Sequence, residues 1–464
     1  MAMASSSSAE STESPKPKRI KICSPENSIT LKILDDRSNR IVELDDGADG
    51  VHVNCQTKPT TMAEIEEMLD KVWFQDNTMS FKDIISGKSF TLLLYPHGSG
   101  KTTLALLLRS FLSVERWSPK LKEFFENCEL AKLEKEFSDE YKNGSKVVYI
   151  SFEDIQGDTE EEFEDSLGEI MQKLFRIHTS NTVYEEIRSS FVKKRSYVYF
   201  SLARLMTELI EKSKIAYLIV DSCDTVYNRI AHFPNAVEIC EQFRYFLRRA
   251  VPKCGITVVK LFCFGVSSFL IEEFASKAYI HSIFSSKDEN GLSRYFSYNS
   301  NTIDAVIKAW NLPTSVAECE RLAMFQYNNN KFINAGICVP FLKCLKDGKK
   351  HFQVDIVPRS LWPDCVFSFD DHKLLLDLLN HPVCELEFNM CLSMYEIIGR
   401  LQNPDLYSDR RFFYPLLIYN GLLSSEHVID NKYSLTIANE TSRCVLIKSL
   451  DEKFIQLNVL EKSI

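Results

Sequence analysis

The sequence lacks the features of a membrane-spanning or secreted protein. No uninterrupted apolar run reaches the length of about 18 residues that crosses a bilayer, and the N-terminus has no hydrophobic core of a secretion signal. The chain contains 14 cysteines, but no C-x-x-C pair and no histidines at metal-ligand spacing. We therefore expect reduced thiols in a nuclear or cytoplasmic protein, with no disulfide framework and no zinc site.

An excess of positive charge is also lacking. The 464 residues carry a formal net charge of −9, and 45% of them are hydrophobic and 26% charged. This mixture is typical of a globular protein with about two to three domains. The charge does not indicate nucleic acid as a partner, although a local basic face is compatible with it. No membrane partner is expected, whereas a protein partner is.

One stretch, Ser89–Leu112, combines a short apolar run, a glycine-containing turn and an apolar helix pattern. The run Phe90–Leu94 predicts a strand, and the residues after Thr103 predict a helix. Gly98 and Gly100 let the backbone turn so that its N–H groups, with those of the helix N-terminus, point at an anion. This order of elements predicts a loop that binds the phosphates of a nucleotide.

The candidate ligands of ATP in this loop are consecutive residues. Lys101 would reach the β- and γ-phosphates, and the Thr102 hydroxyl would hold Mg²⁺. The pattern is incomplete, because Tyr95 stands where the first glycine of a P-loop belongs. The alternative is an ordinary strand–turn–helix with a solvated lysine. The predicted nucleotide contacts are Pro96, His97, Gly98, Ser99, Gly100, Lys101, Thr102 and Thr103.

Three further apolar runs predict strands, and helical patterns separate them. Thr61 with Glu64 predicts a capped helix start, and Ala236–Ala250 predicts a helix late in this part of the chain. We therefore predict an α/β fold, with a P-loop NTPase-like, largely parallel sheet flanked by helices. The three runs are Lys146–Phe152, Lys214–Val220 and Ile256–Phe264.

Acidic residues follow the third predicted strand. Asp221 stands at its carboxyl end, where an open parallel sheet binds its ligand, and it would hold Mg²⁺ opposite Thr102. Alternatively, Asp221 only caps the strand end. The next position usually carries the glutamate that orients the attacking water, but here it is Ser222. Asp224 is therefore the candidate catalytic carboxylate, and its alternative role is that of a loop or capping residue.

These landmarks resemble the AAA-ATPase-like domain family, whose members often carry a C-terminal nuclease-like domain of the PD-(D/E)XK class. The segment Tyr95–Thr102 resembles the family's loop, which also lacks the first P-loop glycine, and Ile219–Asp224 resembles its Ile-Asp-Glu-Tyr-Asp motif. The resemblance extends over about 60–440 and implies ATP as ligand and Mg²⁺ as cofactor. Further similar segments are Asp70-Lys71 with Phe74, Val147–Phe152, Phe264–Val266, Leu417–Leu423 and Leu435–Glu440.

The departures from the family's motifs fall on the catalytic positions. Ser222 replaces the motif's glutamate, and Phe264 replaces the threonine of the family's Thr-Gly-Val. Three functions therefore stay open: a slow ATPase with a degenerate Walker B motif, a non-hydrolysing nucleotide-dependent switch, and a nuclear protein-interaction scaffold without nucleotide. No Glu-x-Lys strand element follows downstream, so no nuclease-like domain is expected in these residues.

The chain divides into four predicted regions. Residues 1–28 form a tail with too little apolar surface to fold, and its basic run Lys16–Lys21 is either a nuclear import signal or a solvated patch. Residues 29–58 predict a short strand-rich appendage, and 59–300 the P-loop AAA-ATPase-like domain. Residues 301–464 predict a mainly helical domain with a winged-helix-like end.

Overall fold

The first two strands belong to a unit of their own in the computed structural model of the protein. β1 (Ile33–Leu34) and β2 (Ile41–Val42) pair antiparallel, with Ile33 opposite Val42, inside the unit Met1–Val51. All further elements belong to the unit His52–Ile464. The predicted boundary near residue 300 stays a prediction.

The structure describes part of the chain, and the predicted tail with its basic run Lys16–Lys21 lies outside that part. The described residues are 33–34, 41–42, 61–87, 89–115, 117–153, 155–157, 159–178, 216–231, 233–250, 260–267, 279–282, 292–327, 330–348, 378–379, 384–387, 394–402, 413–429 and 432–447.

A parallel sheet forms the centre of the larger unit. Its strands are β3 (Phe90–Leu94), β4 (Val147–Ser151), β5 (Tyr217–Asp221), β6 (Lys260–Gly265) and β7 (Tyr279–Ser282). Their order is β4-β5-β6-β3-β7, and all neighbours run parallel. The predicted parallel sheet is confirmed, although the sequence did not predict β7. Because β6 lies between β3 and β5, the loop after β3 and the acidic residues after β5 are one strand apart.

The helices of this half begin and end close to their sequence signals. The Thr61 hydroxyl accepts from the Glu64 N–H, and the Glu64 carboxylate accepts from the Thr61 N–H, so the predicted capping box is confirmed. None of the helices in the described residues is long and apolar enough to cross a membrane. The helices are α1 (Met62–Met68), α2 (Ser80–Ser86), α3 (Lys101–Leu112), α4 (Pro119–Asn127), α5 (Glu129–Leu133), α6 (Lys135–Tyr141), α7 (Glu160–His178), α8 (Thr225–Ile230) and α9 (Ala236–Ala250).

Helices cover both faces of the sheet because its strands are apolar on both sides. On one face, Leu104 of α3 packs in the same core as Leu93 and Ile219. On the other face, Phe163 of α7 packs with Val220, in a core that α9 also enters. The carboxyl ends of the strands stay accessible at one edge, which is where such sheets bind ligands.

The C-terminal third contains a second sheet of five strands. Its strands are β8 (Met324–Tyr327), β9 (Asn330–Ile333), β10 (Cys384–Glu387), β11 (Leu423–Ile429) and β12 (Lys432–Ile437). Their order is β10-β12-β11-β8-β9, antiparallel except between β11 and β8. The helices of this part are α10 (Ser300–Trp310), α11 (Val316–Ala323), α12 (Ala335–Lys346), α13 (Met394–Gln402) and α14 (Phe413–Tyr419). The prediction of a mainly helical domain missed β8, β9 and β10, because strands of four residues show little periodicity.

Five elements follow one another in the order of a winged helix: strand β10, helices α13 and α14, then the hairpin β11–β12, with residues 440–447 helical after it. The hairpin strands pair with each other, and β10 pairs with β12. In a DNA-binding helix-turn-helix, the second helix enters the major groove. Here α14 is buried from Tyr414 to its end and packs in the core of the larger unit. The side chains that the structure describes in this helix, Tyr414–Tyr419, therefore present no surface to a nucleic acid.

Candidate nucleotide site

A cavity of about 350 Å³ lies at the carboxyl ends of the parallel strands. The loop after β3 and the first turn of α3 form one wall, and residues that follow β4, β5 and β6 form another. The start of α12 and two aromatic segments complete it. The lining residues that matter below are His97, Gly98, Ser99, Gly100, Lys101, Thr102, Thr103, Glu153, Ser222, Asp224, Gly265, Asn334 and Gly336.

The loop between β3 and α3 has the backbone conformation of a phosphate cradle. Gly98 has φ 78° and Gly100 has φ 83°, which is the left-handed region that glycine enters without a steric penalty. Gly100 is also the N-cap residue of α3. The first N–H groups of a helix lack an intrahelical partner and carry partial positive charge, so the turn directs donors toward the cavity.

Tyr95 shows why the first glycine of the P-loop pattern is not needed here. Its N–H donates to the Gly265 carbonyl at 3.1 Å, so residue 95 continues the pairing of β3 with β6. The Tyr95 ring is 1% exposed and stacks on Phe296 with 3.7 Å between ring centroids. The turn therefore begins one residue later, at Pro96.

Lys101 lies folded against the loop. Its ammonium donates to the carbonyls of Tyr95 at 2.6 Å and Pro96 at 2.8 Å, and the residue is only 9% exposed. The alternative of a solvated lysine is therefore excluded. Beside it, the Ser99 hydroxyl is buried and has no hydrogen-bond partner among the described residues. A buried, unpaired hydroxyl in a cavity wall fits a ligand that brings an acceptor.

A second helix start holds this loop in place, and no local sequence pattern predicts it at this position. The Asn334 amide donates to the His97 carbonyl at 2.7 Å, and the Gly336 N–H donates to the Gly98 carbonyl at 2.9 Å. The two glycines approach so closely that a Cβ built on Gly336 would lie 2.6 Å from the Gly98 Cα. Asn334 is the N-cap of α12, so this cap and the loop form one hydrogen-bonded unit.

Thr102 and Asp221, the predicted metal ligands, differ in their access to the cavity. Thr102 lines the cavity, whereas Asp221 is 1% exposed and does not line it. The Asp221 carboxylate accepts from the Ser222 N–H at 2.9 Å and from the Tyr149 hydroxyl at 3.1 Å. Burial raises the pKa of the Tyr149 phenol, and the Asp221 charge raises it further, so Tyr149 remains a donor. Asp221 is thus a fixed, buried anion at the end of β5.

The described residues contain no group of three or more acidic, histidine or cysteine side chains that could hold a metal ion. This donor set does not form a closed protein cage. It fits Mg²⁺, which usually takes one or two protein ligands and completes its shell with waters and substrate phosphates. Thr102 and Asp221 are the residues that would hold it, the latter through water.

Asp224, the predicted catalytic carboxylate, is 3% exposed and lies at the cavity wall. Its carboxylate accepts from the Ser267 N–H at 3.2 Å, and it lies so close to Gly265 that a Cβ there would be 3.0 Å from it. Burial raises the pKa of the Asp224 carboxyl, against the Lys101 charge and backbone hydrogen bonds, which lower it. Asp224 is thus a buried acid beside the loop lysine, without the solvent exposure of a typical surface carboxylate.

The raised pKa of Asp224 predicts how stability responds to pH. The folded protein holds this proton more tightly than the unfolded chain, so acidification through the folded-state pKa stabilises wild type. We expect the unfolding free energy of wild type, minus that of Asp224→Asn, to rise as pH falls and to level off below the unfolded pKa of about 3.9. Urea unfolding at pH values from about 3 to 8 measures this difference and reaches the plateau. A difference that shrinks on acidification would show that Lys101 outweighs burial.

Glu153, which sequence analysis missed, completes this wall. It follows β4 by two residues and lines the cavity beside Ser222, whose hydroxyl donates to the Glu153 carboxylate at 2.7 Å. Ser222 has φ 54°, a left-handed conformation that is uncommon for serine. The register of β4 against β5 pairs Ser151 with Asp221, and this pairing brings the two chain segments together.

Comparison with known proteins finds a family match for about half of the chain. Residues 60–275 match the model of the AAA-ATPase-like family, which is described as predicted AAA-ATPase. This region is similar to that family. Matching solved structures include the Walker-type ATPase of Pyrococcus abyssi, at 14% sequence identity and a TM-score of 0.35, with 80% of this chain and 95% of that chain covered. No curated protein matches the chain. The resemblance to the family is thus confirmed for the region 60–275.

Two segments, one inside the matched region and one beyond it, form the aromatic end of the cavity. Trp73 and Phe74 line it from one segment, and Tyr295 and Tyr298 from another. Hydrogen bonds join the two segments: the Tyr298 hydroxyl donates to the Trp73 carbonyl at 2.8 Å, and the Asn77 amide donates to the Tyr295 carbonyl at 2.7 Å. The cavity thus has a polar end at the loop and an aromatic end at these two segments.

Proposed function

We propose that this chain binds ATP with Mg²⁺ in the cavity and hydrolyses it slowly. The observation that carries the proposal is the position of Lys101, whose buried ammonium is held by two loop carbonyls at the N-terminus of α3. Triphosphate oxygens would replace those carbonyls as acceptors. The loop N–H groups and the unpaired Ser99 hydroxyl would bind the same phosphates. The aromatic end suits the flat, apolar faces of adenine.

Magnesium, when bound, would neutralise the charge that develops on the phosphates. Thr102 and Asp221 are the residues of this chain that would hold it. Lys101 would bind and orient the phosphate chain, and the glycine loop would exclude water from one side of it. His97, Gly98, Ser99, Gly100 and Thr103 line the cavity and would contribute backbone N–H groups and the Ser99 hydroxyl. Pro96, also predicted as a contact, has no N–H and is not among the lining residues.

Thermal unfolding with Mg-ATP tests the binding proposal. A ligand that binds only the folded state at 100 times its Kd adds about 2.7 kcal/mol to the free energy of unfolding, which raises Tm by several degrees. We expect this shift in wild type and in the control Lys122→Ala, which removes an exposed lysine of α4. We expect no shift in Lys101→Ala. An equal shift in Lys101→Ala would contradict the proposed site, and no shift in any variant would support the scaffold without nucleotide.

A non-hydrolysing switch remains the second candidate. Phe264 favours it, because this residue is buried at the end of β6 where related ATPases place a polar γ-phosphate sensor. The contact of the loop with α12 also favours a switch, since any movement of Gly98 must displace Gly336. A protein partner whose affinity depends on the position of α12 would complete such a switch. Phosphate release by wild type, absent in Lys101→Ala, would exclude it.

A further inference from the structure

We propose that Glu153 is the residue that orients and deprotonates the attacking water, in place of the glutamate that is missing at position 222. This inference rests on the proposed ATP site. It assigns the catalytic carboxylate to a residue two positions after β4, the strand beside β5, whereas sequence analysis assigned it to Asp224. Ser222 then acts as a positioning residue through its hydrogen bond to Glu153.

The first step of the argument is the rigidity of residue 222. The Phe152 N–H donates to the Asp221 carbonyl at 3.1 Å, and the Cys223 N–H donates to the Phe264 carbonyl at 3.0 Å. The residues on both sides of Ser222 are thus tied to neighbouring strands. Its left-handed backbone directs the short side chain to the cavity wall, where the hydroxyl donates to the Glu153 carboxylate at 2.7 Å.

The second step is the position of Glu153 itself. Its carboxylate lies one hydrogen bond from the side chain that has replaced the usual glutamate, so its charge sits close to the place where that glutamate's charge would be. Glu153 and Ser222 line the same cavity as Lys101 and Thr102. Glu153 is only partly buried, which leaves it accessible to water. A general base must reach its proton directly or through one water.

The third step is the comparison with Asp224. That carboxylate is 3% exposed, accepts from the Ser267 N–H and lies beside Gly265, so the backbone of β6 covers it. A carboxylate covered to this degree leaves little room for an attacking water beside it. Of the two carboxylates at this wall, Glu153 therefore has the geometry and the access that the reaction requires.

The proposed step is hydrolysis of the γ-phosphate. The water oxygen forms a bond to the γ-phosphorus while the bond from that phosphorus to the β,γ-bridging oxygen breaks. ADP leaves with the bridging oxygen and its electron pair. One proton of the water passes to the Glu153 carboxylate and then to solvent or phosphate, which restores the carboxylate. The products are ADP, inorganic phosphate and one proton.

The test combines phosphate release with a binding measurement on the full chain. Loss of a positioned general base typically costs about 10²–10⁴-fold in rate. We expect Glu153→Gln to lose phosphate release by that factor and to keep the thermal shift with Mg-ATP. We also expect ADP with aluminium fluoride, which mimics the transition state, to stabilise wild type more than ADP alone, and this excess to vanish in Glu153→Gln. The control is Glu169→Gln, an exposed glutamate of α7.

Two further variants sharpen the test. Ser222→Ala should lower kcat while leaving KM unchanged, because it releases Glu153 without touching the phosphate loop. In a Glu153→Gln background, Ser222→Glu returns a carboxylate to the usual position, on a residue whose φ is 54° in wild type. We expect this second substitution to restore part of the rate of phosphate release. Restored release supports the assignment.

The inference and the proposed function fail in different ways. Phosphate release that persists in Glu153→Gln overturns the role of Glu153. If that release is also lost in Asp224→Asn, the catalytic carboxylate is Asp224. ATP binding without any release by wild type overturns it too, and leaves the nucleotide site intact. Absence of the Mg-ATP shift in wild type overturns both.

Discussion

Gly98→Ala is expected to lower the free energy of unfolding by about 2–5 kcal/mol and to abolish the thermal shift with Mg-ATP. Two costs add. An alanine at φ 78° meets the steric penalty of the left-handed region, and its Cβ would lie 2.5 Å from the Asn334 carboxamide oxygen and 3.0 Å from the Gly336 Cα. The methyl group must push the loop away from α12, which also displaces the backbone donors of the phosphate cradle.

A matched control separates the steric clash from the backbone strain. Gly348 has φ 67° but nothing within 4 Å of a built Cβ, so Gly348→Ala should cost only about 1–2 kcal/mol and should leave ATP binding intact. Chemical unfolding of both variants, followed by calorimetry with Mg-ATP, measures the two effects. Equal destabilisation by the two substitutions would mean that the contact between the loop and α12 carries no energy.

The contiguous part of the site was predictable because its signals are local. A strand, a glycine turn and a helix occupy Ser89–Leu112 without interruption, and the structure forms β3, the turn and α3 from them. The same reasoning placed Asp221 at the end of β5. Periodicity and glycine placement act over a few residues, so one sequence is enough to detect them.

The remaining parts of the cavity wall come from segments that are distant in the sequence, and no local sequence pattern predicts their positions. Asn334 and Gly336 contact the loop across more than two hundred residues of chain. As a sequence, Asn334-Ala335-Gly336 only indicates a helix start. In the sequence, Glu153 is only one of several acids that precede an acidic helix. Its role depends on the pairing of β4 with β5. Strand order, which decides both contacts, is a tertiary property.

Three strands of the second sheet were missed for a different reason. Strands β8, β9 and β10 have four residues each, too few for alternation to differ from chance. Lys343 and Lys346 show the same limit for helices. Nothing in their sequence indicates an aromatic partner, yet both lysines lie in the last turn of α12, with their ammonium groups 4.1 Å and 4.5 Å from the rings of Trp73 and Trp310. The ring contacts exist only in the folded chain.

Asp221→Asn is expected to remove the Mg²⁺ dependence of ATP binding. Its carboxylate is buried and does not line the cavity, so it would act on the metal through water and by its charge. Outer-shell partners of this kind change metal affinity by about 10–100-fold. Wild type should therefore bind ATP more tightly with Mg²⁺ than in EDTA by about that factor, whereas the affinity of Asp221→Asn should be the same in both. Titration calorimetry measures all four affinities.

The choice of asparagine keeps this result interpretable. Asp221→Ala would leave the Tyr149 hydroxyl and the Ser222 N–H without their acceptor, at a cost of about 1–3 kcal/mol for each buried group. Asparagine keeps the size and one acceptor while it removes the charge. Tyr149→Phe is the companion variant, because it breaks the hydrogen bond and preserves the carboxylate; it should keep the Mg²⁺ dependence. If Asp221→Asn keeps the Mg²⁺ dependence and Thr102→Val loses it, Asp221 only caps the end of β5. Of these two residues, only Thr102 then holds the metal.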